Sequence, residues 1–91
     1  MKITIALLKE LYQNDAVFQT QHVIERCKQR GIRPIQIRNA VISGEIIEDY
    51  PEDYPFPSCL ILGFSEANVP LHVVIGCNGE TAKIITAYHP N

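Results

Sequence analysis

The sequence predicts an α+β domain in which two to three N-terminal helices pack on a C-terminal antiparallel β-sheet. Three observations predict it. Apolar residues recur at helical spacing from Ile3 to Leu11, and helix start and stop signals follow at Thr20, Gly31, Pro34 and Gly44. After Gly44 the apolar residues come in short runs of strand length. Turn signals, above all Asn78-Gly79, separate those runs, so neighbouring strands join as an antiparallel meander. Helices followed by strands is the α+β order.

The elements follow in turn. Ile3, Leu7, Leu8 and Leu11 share one helical face, which predicts a helix over residues 2–13 ended by Asn14-Asp15. Thr20 can accept a hydrogen bond from a first-turn N–H, so a second helix is expected over residues 21–30. Gly31 suits the left-handed position just past its end. Pro34 has no N–H to orphan and opens a third helix, which Gly44 closes. Ile46-Ile47 reads as a short strand. Residues 50–57 hold three prolines, which fix φ and remove donors, so this stretch is irregular. Strands are then expected over residues 58–64, 71–77 and 83–88, with Pro70 at the start of the second.

Composition bounds the function. With 91 residues the chain is long enough for one domain and too short for two. Apolar residues make up 46% and charged residues 20%, which excludes a disordered chain. No apolar run approaches the roughly 20 residues that span a bilayer. The first apolar stretch runs straight into Lys9 and Glu10, unlike a secretory leader, so a cytoplasmic protein is expected. Cys27, Cys59 and Cys77 are odd in number and form no C-x-x-C pair, which argues for buried thiols over a disulfide or zinc framework.

The net charge of −2 argues against a general nucleic-acid binder, but the charges are segregated. Arg26, Lys28, Arg30, Arg33 and Arg38 form a basic segment, and Glu45, Glu48, Asp49, Glu52 and Asp53 an acidic one. The two segments either attract each other or are simply solvated, or else the first is a functional basic face.

Three groups of residues can carry chemistry. His22, Arg26 and Arg30 recur at every fourth position and so share a helix face, with Val23, Ile24 and Cys27 expected opposite. Arginine binds phosphate oxygens through a planar fork, and histidine moves protons near neutral pH. His72 lies within an apolar strand and by alternation shares a face with Val74, away from Leu71, Val73 and Ile75. It is either a packed ring on a half-buried face or a site residue on an open one. Tyr88 and His89 close the last strand. A zinc site on His22, His72 and His89 lacks any supporting spacing, so no metal and no cofactor is predicted. Nucleotide-binding loops and the G-x-S-x-G elbow are absent from the sequence.

Several of these stretches resemble a known family. They are the helix end His22-Val23-Ile24-Glu25-Arg26-Cys27-Lys28-Gln29-Arg30-Gly31-Ile32, the segments Ser43-Gly44-Glu45-Ile46-Ile47-Glu48-Asp49-Tyr50-Pro51 and Pro57-Ser58-Cys59-Leu60-Ile61-Leu62-Gly63, and the strands around His72 and Tyr88. The chain is similar, over about residues 5–90, to the domain-of-unknown-function family numbered 4258, which is related to RelE-like and BrnT-like toxins. That resemblance implies the RelE-like toxin fold and a small ribonuclease that cuts messenger RNA, often on the ribosome, and is held inactive by an antitoxin-like partner of zinc-finger type. It implies His22, Arg26, His72 and Tyr88 as catalytic residues. Lys28, Arg30, Arg33 and Arg38 are expected to contact the RNA. The acidic net charge departs from the strongly basic character of many RelE-type toxins. The alternative is a non-catalytic interaction module that binds its partner through Tyr50, Tyr54 and Phe56 among the prolines.

Overall fold

The computed structural model describes residues 2–91. Its helices are α1 (Ile5–Gln13), α2 (Gln21–Gln29) and α3 (Pro34–Ser43). Its strands are β1 (Val17–Phe18), β2 (Glu45–Tyr50), β3 (Ser58–Glu66), β4 (Val69–Cys77) and β5 (Ala82–Tyr88). The strands form one five-stranded sheet in the order β1-β5-β4-β3-β2. The last four strands are antiparallel, and β1 pairs with β5 in parallel. The α+β prediction holds.

Local chemistry sets the helix ends. Helix α1 begins at Ile5 rather than residue 2, because the Thr4 hydroxyl accepts the Leu7 N–H at 3.1 Å and caps it there. Ile3 is buried outside the helix. In α2 the Thr20 hydroxyl accepts the Val23 N–H at 3.2 Å, as expected. At its other end Ile32 N–H donates to the Cys27 carbonyl and Gly31 N–H to that of Lys28, with Gly31 at φ +74°. This paired closure needs a left-handed residue, which glycine supplies without strain. It turns the chain so that Ile32 enters the core. Pro34 opens α3, and the Gln36 side chain accepts the Arg33 backbone N–H at 2.8 Å.

The strands run longer than the apolar runs that announce them. β2 continues through Glu48 and Asp49 to Tyr50, β3 reaches Glu66 and β4 starts at Val69, so Pro70 lies inside it. β1 was not foreseen: two residues are too few to show a period. The loop between β4 and β5 spans residues 78–81, one residue shorter than the expected strands leave. There the Asn78 side chain accepts the N–H groups of Glu80 and Thr81.

One face of the sheet carries the helices. Ile37, Ala40 and Val41 of α3 are fully buried in a cluster with Ile61, Leu71, Val73, Ile75 and Ile84. Each such Ile, Leu or Val side chain contributes about 1.5–3 kcal/mol relative to exposure. α3 lies chiefly on β3, α1 stacks beside α3, and α2 reaches β5. The tightest point is Gly63 in β3, where a built Cβ would lie 1.8 Å from the Ala40 carbonyl oxygen. The three cysteines are free and buried, and burial pushes the Cys59 thiol up to about 12. Among the described residues no helix is long and apolar enough to cross a membrane.

The two glycines make contrasting predictions for urea denaturation. Gly63→Ala drives a methyl into helix backbone and is expected to cost about 3 kcal/mol or more. Gly31→Ala meets open space, so it bears only the left-handed conformation and costs about 1–2 kcal/mol.

Candidate functional site

The face opposite the helices is built by alternation along β4 and β5. Leu71, Val73 and Ile75 point into the core and are fully buried, so His72 and Val74 project the other way and are half-buried. His72 pairs across the sheet with Leu62 and with Tyr88. The His72 and Tyr88 rings meet edge-to-face, with centroids 5.3 Å apart and an interplanar angle of 82°. Tyr50 belongs to the edge of this face. Its hydroxyl donates to the Glu48 carboxylate, which holds the phenol in its neutral form and pushes its pKa up to about 12.

A cleft of about 210 Å³ separates α2 from β5. His22, Arg26 and Arg30 line it from the helix, as their shared face predicts, and Ile85 and Thr86 line it from the strand. Val23 and Cys27 also line it, so these two residues are not on the opposite side as expected: each follows a basic-face residue, His22 or Arg26, by one position, about 100° around the helix, and that flank is the one α2 turns to β5. The Arg30 Nη1 donates to the Thr86 hydroxyl at 3.1 Å and to the Ala87 carbonyl at 2.9 Å. Both bonds come from one nitrogen, so the rest of the fork is not spent on them. They also cover β5's outer edge, which β1 pairs only at Ala82 and Lys83.

A bulge shapes the strand wall. Val74 opposes Thr86 and Ile75 opposes Ile84, which leaves Ile85 as the extra residue. A bulge re-aims side chains, and here Ile85 and Thr86 both reach the cleft. Neither was singled out from the sequence. Thr86 was legible in principle, two positions before Tyr88 on the same face. The bulge has no sequence signal of its own.

The expected catalytic residues therefore form two groups. His22 and Arg26 line the α2 cleft, while His72 and Tyr88 pair on the sheet. Thr86, the partner of Arg30, connects them along β5. Of the expected RNA contacts, Arg30 lines the cleft, and Lys28, Arg33 and Arg38 do not. Arg38 stands 6.0 Å over the Tyr12 ring between α1 and α3. That tyrosine's hydroxyl is buried, which pushes its pKa up to about 12 against the opposing pull of Arg38. The expected partner-binding aromatics also separate. Tyr54 and Phe56 line a second cavity, next to the α2 cleft, whereas Tyr50 lies on β2. Among the described residues no group of three or more His, Cys, Asp or Glu side chains is placed to hold a metal ion.

The anchoring of Arg30 separates two neighbouring arginines by stability. Arg30→Ala removes both bonds to β5 and is expected to cost about 1–2 kcal/mol in urea denaturation, a range lowered for solvent exposure. Arg26→Ala, on the same exposed face, is expected within about 0.5 kcal/mol of wild type.

No curated protein and no solved structure matches the chain. A family model matches residues 19–89, a span that holds α2, α3, the cleft and the four antiparallel strands and leaves out α1 and β1. The chain belongs to that family, the domain of unknown function DUF4258.

Proposed function

We propose that this chain is a toxin-like, metal-independent ribonuclease related to the RelE-like and BrnT-like toxins, acting on messenger RNA in the cytoplasm and restrained by an antitoxin-like partner. The observation that supports this reading is the lining of one cleft by His22, Arg26 and Arg30, with Arg30 tied to the sheet. Two guanidiniums beside an imidazole suit a phosphodiester.

RNA carries its own nucleophile, the 2′-hydroxyl, so the protein has to position, neutralise and move protons. His22 takes the proton of the 2′-hydroxyl as that oxygen attacks the adjacent phosphorus. Arg26 and the free edge of Arg30 hold the phosphorane oxygens as negative charge builds on them. The 5′-oxygen leaves with a proton supplied from the His72–Tyr88 pair, which borders the same stretch of β5. The products carry a 2′,3′-cyclic phosphate and a 5′-hydroxyl. The net negative charge of the chain weakens its hold on RNA, so binding depends on the local positive charge of the cleft.

The test is cleavage of a labelled RNA by the purified chain with a chelator present, followed by analysis of the product ends. Cyclic phosphate ends are expected, with His22→Ala and Arg26→Ala each slowing cleavage about 100-fold. Full activity in both variants would refute this assignment.

A further inference from the structure

Beside the basic cleft lies a cavity of about 310 Å³, between α2, β5 and the proline-rich loop. Val23 and Ile85 line both spaces, so the two share a wall. The second cavity differs in chemistry: Tyr54 and Phe56 add aromatic surface to the apolar Val23 and Ile85. Its volume is at the lower end for ligand pockets, which suits one ring system better than a large cofactor. We infer that this cavity is a base-stacking subsite for single-stranded RNA, with Tyr54 as its platform and the phosphate of the same strand in the α2 cleft. The inference rests on reading that cleft as the phosphate site.

The state of Tyr54 carries the argument furthest. The residue is 95% exposed, so the fold makes almost no use of its ring. The loop that presents it is nonetheless held. Pro51, Pro55 and Pro57 restrict its φ angles, Asp53 N–H donates to the Tyr50 carbonyl at 3.2 Å, and Cys77 N–H donates to the Pro57 carbonyl at 3.0 Å. A held backbone fixes where the ring is presented, so only the side chain has to be ordered when a base stacks on it. A cationic groove next to an aromatic platform is the recurring arrangement for single strands, because every unpaired base offers a π-face. A duplex hides those faces, so the arrangement selects against it. Lys83 lines the same cavity and supplies a cation for a flanking phosphate. Asp53 lines it too, but its carboxylate accepts the Ser58 hydroxyl.

The experiment is fluorescence anisotropy of the full chain with a labelled single-stranded RNA and with the same RNA as a duplex, for wild type, Tyr54→Ala, Tyr54→Trp and Arg26→Ala. Cleavage of the single strand is followed in parallel. Tyr54 is too exposed for its replacement to threaten folding. Wild type is expected to prefer the single strand. Tyr54→Ala is expected to weaken single-strand binding about tenfold or more, and Tyr54→Trp to restore it. Unchanged binding in Tyr54→Ala, with Arg26→Ala weakened, would overturn the subsite and leave the ribonuclease reading intact. Tyr54-dependent binding without any cleavage would keep the subsite and remove the catalytic reading. If the chain binds no RNA, or if Tyr54→Ala loses only a protein partner, the subsite is wrong.

Discussion

The fold depends on how closely the backbone of α3 approaches β3. Gly63 has no Cβ, and one built there would overlap the Ala40 carbonyl oxygen. That absence lets the helix sit deeper on the strand than any side chain would allow. Gly44 serves the same contact from the far end of α3, where a Cβ would fall 2.6 Å from the same oxygen and 2.7 Å from Ile61 Cγ2. Its φ of −98° is ordinary, so closeness and not handedness calls for glycine there. With α3 seated, Ile37 and Val41 reach the central strands and α1 can lie alongside. α1 and α3 are then committed to one side. The other face, with His72, Tyr88 and Tyr50, is left for something else.

α2 occupies a different position and does a different job. It stands against β5 at the rim of the sheet and contributes Cys27 to the core, so most of its surface is free to carry charge. Its closure at Gly31 sends Ile32 inward while Arg30 reaches β5. The bulge at Ile85 opens the strand wall opposite. Cap, arginine and bulge together turn a helix–sheet junction into a cleft with one cationic wall. The next cavity along, under the proline-rich loop, continues that cleft with aromatic surface.

What the sequence revealed and what it hid follow from the range of the forces involved. Thr20, Gly31 and Pro34 act on their own neighbours, so the ends of α2 and the start of α3 could be read directly. Strand alternation correctly placed His72 with Val74, away from Leu71, Val73 and Ile75, on a face that is half-buried, because one buried face fixes the register. β1 depends on β5, 65 positions later at Val17 and Ala82, and carries no period of its own. The polar extension of β2 is held by pairing with β3 and not by its own side chains. Every-fourth-residue spacing grouped His22, Arg26 and Arg30 correctly. Closeness in sequence did not group Lys28, Arg33 and Arg38 with them, because the chain turns at Gly31 and α3 points Arg38 toward Tyr12. The prolines likewise part Tyr50 from Tyr54 and Phe56.

The proposed role of the α2 cleft is that of an RNA-cutting toxin's active site. Growth of a bacterial host on inducing the wild-type chain, beside an Arg26→Ala version at equal expression, tests it most directly. Arrest by wild type and relief by Arg26→Ala are expected. Normal growth with abundant soluble wild-type chain, or equal arrest by both, would contradict it.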